Sequence, residues 1–181
     1  MADAVLVGSL IVTLLKHADR IKIACQAQLV NVIAPIMTGP NGPAWRQTIF
    51  YPFAHASRFG RGTVLRVEPQ SPIYNTALYG SVPLLEATAT LDEDWGGLTI
   101  FAVNRDRQEP LELGCDLRAF RGHRVEEHLV LADGDARATN TAEHPERVRP
   151  RSKPGAKVTD GCLEAVLPPL SWNVIRLGNE G

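Results

Sequence analysis

The pattern of apolar residues changes once along this chain, near residue 60, and that change limits what the chain can fold into. Before it, helical and strand-like segments alternate. Ala4 to about His17 ("AVLVGSLIVTLL" and its end) reads as a helix that is apolar all round, which implies burial on more than one side. Lys16 and His17 sit in its last turn, where cations suit the helix dipole. Ile21 to Val32 reads as a strand without clean alternation, the pattern of a strand covered on both faces. "TGPNGP" (residues 38–43) is a loop. Ala44 to about Phe59 reads as a second helix ending at Gly60 and Gly62, with Pro52 expected to kink or split it. After residue 60 come "GTVLRV", "LLEATATL", "LTIFAVN", "LELGCDL", "VEEHLVLA", "CLEAVLP" and "WNVIRL". Short β-branched or period-2 runs separated by turns predict a β-sandwich over residues 61–181.

Residues 1–60 cannot build a core by themselves. A strand covered on both faces needs neighbours on both edges, and a helix–strand–helix unit supplies none. Its periodicity is that of an α/β barrel or doubly wound sheet, of which about one and a half units are present. The chain reads as a piece cut from a larger fold.

Several function classes drop out on composition. With 181 residues, 44% hydrophobic and 22% charged, the chain has ordinary globular composition and room for one sizeable core. A net charge of −1 offers no footprint for nucleic acid or a membrane. The run at residues 4–15 falls short of the about 20 apolar residues of a membrane span, and Asp3 stands where a signal peptide needs basic residues. Cys25, Cys115 and Cys162 are far apart and form no CxxC or Cys/His spacing, so no metal or disulfide framework is expected and a reducing cytoplasm fits. "DEDWGG" (residues 92–97) is read as a solvated hairpin turn rather than a calcium ligand set. The basic, proline-rich residues 144–157 lack the interleaved aromatics of a nucleic-acid site and read as an exposed loop.

"IACQAQLVNVIAP" (residues 23–35) places Gln26, Gln28 and Asn31 among apolar residues. Buried amides need partners, so they are either satisfied core amides or the end of a strand that opens into a ligand site. Hydrolase chemistry built on histidine finds little support: His17 ends a helix, and His55 and Ser57 are two apart, where helical side chains diverge. No glutamate precedes Glu68.

The stretches "HADRIKIACQAQLVNVIAPIMT", "GPAWRQTIFYPFAHASRFGRGTVL" and "LPPLSWNVIRL" closely resemble the C-terminal portion of α-L-arabinofuranosidases of glycoside hydrolase family fifty-one. The resemblance implies a partial (β/α)8 barrel segment followed by an all-β, jelly-roll-like sandwich. Residues 1–60 are then the last helix–strand–helix of the barrel, and 61–181 the sandwich domain. It also implies that Gln28 hydrogen-bonds an arabinofuranosyl ring at the carboxyl end of the eighth strand, where barrel enzymes hold their sites. An amide both donates to and accepts from sugar hydroxyls. Asn31, at the strand end, would shape the adjoining loop. Gln26 departs from the family pattern, so it either pairs with Gln28 or marks a bulge. Family members need two glutamates as nucleophile and acid/base, carried on strands that would precede Met1, so no catalytic residue is expected here. The resemblance implies an arabinofuranosyl oligosaccharide substrate, no cofactor and homo-oligomeric relatives. The alternative is a non-catalytic accessory sandwich for carbohydrate binding or oligomer contacts. Trp95 in its turn, and Trp45 and Trp172 in apolar contexts, form no evident sugar-stacking strip.

Overall fold

The computed structural model describes residues 1–94 and 96–179, so Trp95 lies outside the described residues. Helix α1 (Ala2–Lys16) carries Asp3 in its first turn and Lys16 in its last, both favourable to the dipole. Ala4, Val5, Gly8, Ile11 and Val12 form one buried stripe. On the opposite stripe Leu6, Leu10 and Leu14 are 61%, 55% and 36% exposed. The apolar character expected all round is real, but only one side is covered.

Residues 21–32 do not form the expected strand. Among the described residues their one ladder contact is an isolated parallel bridge from Val30 to Ile36. A strand exists only where its backbone groups meet a neighbour, and neither large sheet runs beside this segment. A hairpin follows instead, β1 (Ile36–Thr38) against β2 (Ala44–Arg46), with Met37 opposite Trp45. The helix expected from Ala44 therefore begins only at Phe50, as α2 (Phe50–Phe59). That start places Pro52 in the first turn, where its missing N–H has no intrahelical acceptor to lose, and the helix is not split.

The rest is β-structure: β3 (Thr63–Leu65), β4 (Ile73–Thr76), β5 (Gly80–Pro83), β6 (Leu85–Asp92), β7 (Gly97–Asn104), β8 (Leu111–Asp116), β9 (His123–Leu131), β10 (Arg151–Ser152), β11 (Lys157–Thr159), β12 (Cys162–Leu167) and β13 (Ser171–Asn179). All seven runs read from the sequence are strands, and Asp92 pairs with Gly97 across the expected hairpin. The short β4, β5, β10 and β11 carried too little alternation to be read. A six-stranded antiparallel sheet runs β10-β9-β13-β7-β6-β3, and a three-stranded one runs β11-β12-β8.

Both faces of the larger sheet are covered, and the period of two along each strand sorts its residues between them. Leu98 and Ile100 of β7, with Ile175 and Leu177 of β13, meet Leu163 and Ala165 of β12 between the two sheets. Phe101, Val103, Trp172 and Val174 point the other way and meet Ala4, Val5, Ile11 and Val12 of α1 and Tyr51 of α2. The protein is thus a β-sandwich whose larger sheet is roofed by two helices.

Candidate functional site

Gln28, Asn31 and Val32 all have left-handed backbones, with φ of 58°, 62° and 56°. Asparagine tolerates this; valine, branched at Cβ, does so only under strain of about 1–3 kcal/mol. The segment is held at its far end by Asn31. Its Oδ1 accepts the Thr38 N–H at 2.8 Å and its Nδ2 donates to Thr38 Oγ1 at 2.9 Å, while the Asn31 N–H donates to the Ile36 carbonyl. Asn31 is therefore a loop brace on β1. Gln28 is exposed and makes no side-chain hydrogen bond among the described residues. Gln26 neither pairs with Gln28 nor sits at a bulge: its Oε1 is buried without a hydrogen-bond partner among the described residues.

Beside this segment, an open cleft of about 470 Å³ is lined by Ile11, Leu14 and Leu15 of α1, Ile21 and Ile23, and Phe53 and Ala56 of α2. Its walls are mostly apolar, with Lys22, Ser57 and Arg61 at the polar part of the lining, and Gln28 is not among them. Among the described residues no group of three His, Cys, Asp or Glu side chains is placed to hold a metal ion. In the first 60 residues the acids are Asp3, in the first turn of α1, and Asp19, just beyond its end; both are exposed and neither adjoins Gln28 in sequence. No pair of carboxylates stands ready to cleave a glycosidic bond there.

Several polar contacts tie residues 1–60 to the sandwich, among them the Met1 ammonium on the Ala138 carbonyl and the Lys16–Glu86 ion pair; two more involve side chains of the stretches that carry the resemblance. The Trp172 indole N–H donates to His55 Nδ1 at 3.1 Å. Burial, with the Arg58 charge adding to it, pushes the His55 pKa down to about 4, so the ring is neutral and carries its proton on Nε2. Asn140, buried, donates from Nδ2 to the carbonyls of Arg46 and Val148 and accepts the Val148 N–H. Its own carbonyl accepts from Trp45 Nε1 at 3.1 Å and Gln47 Nε2 at 3.3 Å. Sequence reasoning placed His55 on a helix and Trp172 in a buried strand but not their contact, and it passed over Asn140. The signal available was local: "WRQ" and "SWN" each carry a tryptophan whose N–H needs an acceptor once the ring is buried.

Comparison with known proteins places the chain. A family model described as the α-L-arabinofuranosidase C-terminal domain matches residues 1–171. An intracellular exo-α-(1→5)-L-arabinofuranosidase of Halalkalibacterium halodurans is 52% identical over 178 residues, covering 98% of this chain and 35% of the relative. One from Streptomyces lividans is 55% identical over 174 residues, covering 96% of this chain and 26% of the relative. A solved family 51 α-L-arabinofuranosidase of Bifidobacterium longum superposes with a TM-score of 0.90 at 44% identity, over 97% of this chain and 34% of that one. The chain spans about a third or less of the length of these relatives. On these matches, it belongs to the α-L-arabinofuranosidase C-terminal domain family.

Proposed function

We propose that the chain is the C-terminal part of a retaining α-L-arabinofuranosidase that removes terminal arabinofuranosyl residues from oligo- and polysaccharides. Residues 1–60 are the last helix–strand–helix of its (β/α)8 barrel and residues 61–181 its sandwich domain. The observation that carries this reading is an uncovered apolar face. Beyond the leucine stripe of α1, Ile23, Leu29, Val32 and Ile33 are 83%, 76%, 81% and 62% exposed. Exposed apolar surface of this kind marks a contact face, and beside it the backbone of residues 22–29 has no neighbouring strand among the described residues. Barrel helices and strands on either side supply what both lack. Flanked by them, residues 21–32 extend into the eighth strand, the left-handed strain at Val32 is relieved, and Gln28 turns toward the sugar at the strand's carboxyl end. The two glutamates of the retaining mechanism belong to the preceding part of the barrel, and no cofactor is needed. The relatives' names support an exo mode on α-(1→5)-linked arabinose and an intracellular setting, and the three free cysteines fit a reducing compartment.

The test is Gln28→Ala in this chain joined to the preceding portion of the Streptomyces lividans relative. Loss of one or two sugar hydrogen bonds lowers kcat/KM by roughly 10- to 100-fold. Stability is unchanged, because the exposed Gln28 side chain bonds nothing here. Wild-type kinetics from the variant would reduce Gln28 to a loop residue.

A further inference from the structure

We propose, resting on the barrel reading of residues 1–60, that Asn140 is a positioning residue for the reaction: through it the sandwich fixes the end of the eighth strand, and with it Gln28. The chain beyond Gln28 is tied down in two steps. Asn31 braces β1 at Thr38, and the Gln47 N–H closes the base of the β1–β2 hairpin on the Pro35 carbonyl at 2.8 Å. The second strand of that hairpin is then gripped by Asn140. Asn140 Nδ2 donates to the Arg46 carbonyl at 2.9 Å, and the Asn140 carbonyl accepts from the side chains of Trp45 and Gln47 on either side of Arg46. The grip does not yield, because Asn140 is itself 1% exposed and its Oδ1 and Nδ2 bond both backbone groups of Val148 at 2.8 and 2.9 Å. Val148 in turn packs in the core that α1 shares with the large sheet.

The place of Asn140 in the fold gives the grip a role at the site. The loop that carries it also meets the start of α1: the Ala2 N–H donates to the Ala136 carbonyl at 2.9 Å, and the Met1 amino group to the Ala138 carbonyl. In a (β/α)8 barrel the strands end, and the helices that follow them begin, at the face that carries the active site. Residues 136–140 touch the start of one such helix and the chain just after one such strand, so this loop of the sandwich stands at the catalytic face. Asn31 lies three residues beyond Gln28, about 10 Å along an extended strand. Between Asn140 and Asn31 every link is a hydrogen bond or a paired hairpin register. Misplacing a substrate-holding group by about 1 Å can cost about 100-fold in rate, so loosening this tether is felt at the sugar.

The experiment loosens the tether without unfolding it. Trp45→Phe with Gln47→Leu withdraws both side-chain donors from the Asn140 carbonyl, which keeps Thr139 Oγ1 as a donor at 3.2 Å and is not left unpaired. In this chain joined to the preceding portion of the Streptomyces lividans relative, the pair of substitutions lowers kcat/KM for an aryl α-L-arabinofuranoside by roughly 5- to 20-fold. In a Gln28→Ala background the same pair costs less than about twofold, because the group it positions is gone. Ile175→Val, which trims the core between the two sheets, leaves kcat/KM unchanged and separates positioning from a general loss of stability. In the 181-residue chain alone, the Asn31 and Thr38 amides exchange at least about tenfold faster with the pair than without it. Unchanged kcat/KM, an equal loss in both backgrounds, or unchanged exchange at Asn31 and Thr38 would overturn the proposal while the barrel reading stands. A joined protein without turnover before any substitution would remove that reading and the proposal with it.

Discussion

At the scale of single residues, His55 carries the sharpest consequence. Its Nδ1 is committed to the Trp172 indole N–H, so protonation breaks the contact. The folded pKa is about 4, below the ordinary 6.5. A base whose pKa is depressed on folding is protonated more readily in the unfolded chain. Its contribution to stability is intact above pH 6.5 and is lost progressively as pH falls from there to about 4. The full shift corresponds to at most about 3 kcal/mol. His128 adds a slope of the same sign, because burial holds its pKa down while its Nε2 donates to Asn173 Oδ1. In His55→Phe the indole N–H loses its acceptor, costing about 1–3 kcal/mol near neutral pH, and the part of the acid slope owed to His55 disappears. Urea unfolding of both proteins near neutrality and at mildly acid pH measures this. Equal slopes would show that His55 is not held neutral by the fold.

At the scale of elements, α1 reaches the sheet through Gly8. A Cβ there would stand 2.6 Å from Cε3 of Trp172, whose ring is fully buried and stacks on Phe101 at 5.7 Å between centroids. Gly8→Ala gains about 1 kcal/mol of helix propensity but forces apart a ring that cannot yield, at about 1–3 kcal/mol. A net loss of about 1 kcal/mol in denaturant melts is expected, against the gain that propensity alone would give. Asn140→Ala strands the Arg46 and Val148 carbonyls and the Val148 N–H. A loss of about 3 kcal/mol or more follows, with faster hydrogen exchange in β2. The larger elements were legible because alternation is a local property: each of the seven runs named after residue 60 contains a strand. The same signal explains why β7 and β13 show no polar face, since helices cover one side and a sheet the other. Ile21 to Val32 failed for the opposite reason. Its composition is that of a buried strand, but strand formation depends on neighbours this chain does not place beside it. Pro52 misled because the helix starts later than its apolar pattern does. Gln28 could be named from its motif alone, and in this chain its side chain is exposed and unbonded among the described residues.

At the scale of the molecule, α1 is fastened to the sheet while the chain that follows it is not. Val12 is fully buried, yet Ile23 and Val32 lie more than four-fifths exposed. Limited proteolysis is therefore expected to cut within residues 20–33 and to leave α1 bound to a protected fragment running from about residue 34 onward. Mass spectrometry under native conditions would show the two pieces together; early loss of α1 would mean that its buried stripe contributes little. The central claim is that this chain brings the sugar-binding end of a barrel but not its chemistry. Its most direct test is hydrolysis of an aryl α-L-arabinofuranoside by the 181-residue chain alone and by the same chain joined to the preceding portion of the Streptomyces lividans relative. The account predicts no turnover above background from the first and turnover from the second. Hydrolysis by the chain alone at the rate of the joined protein would contradict it.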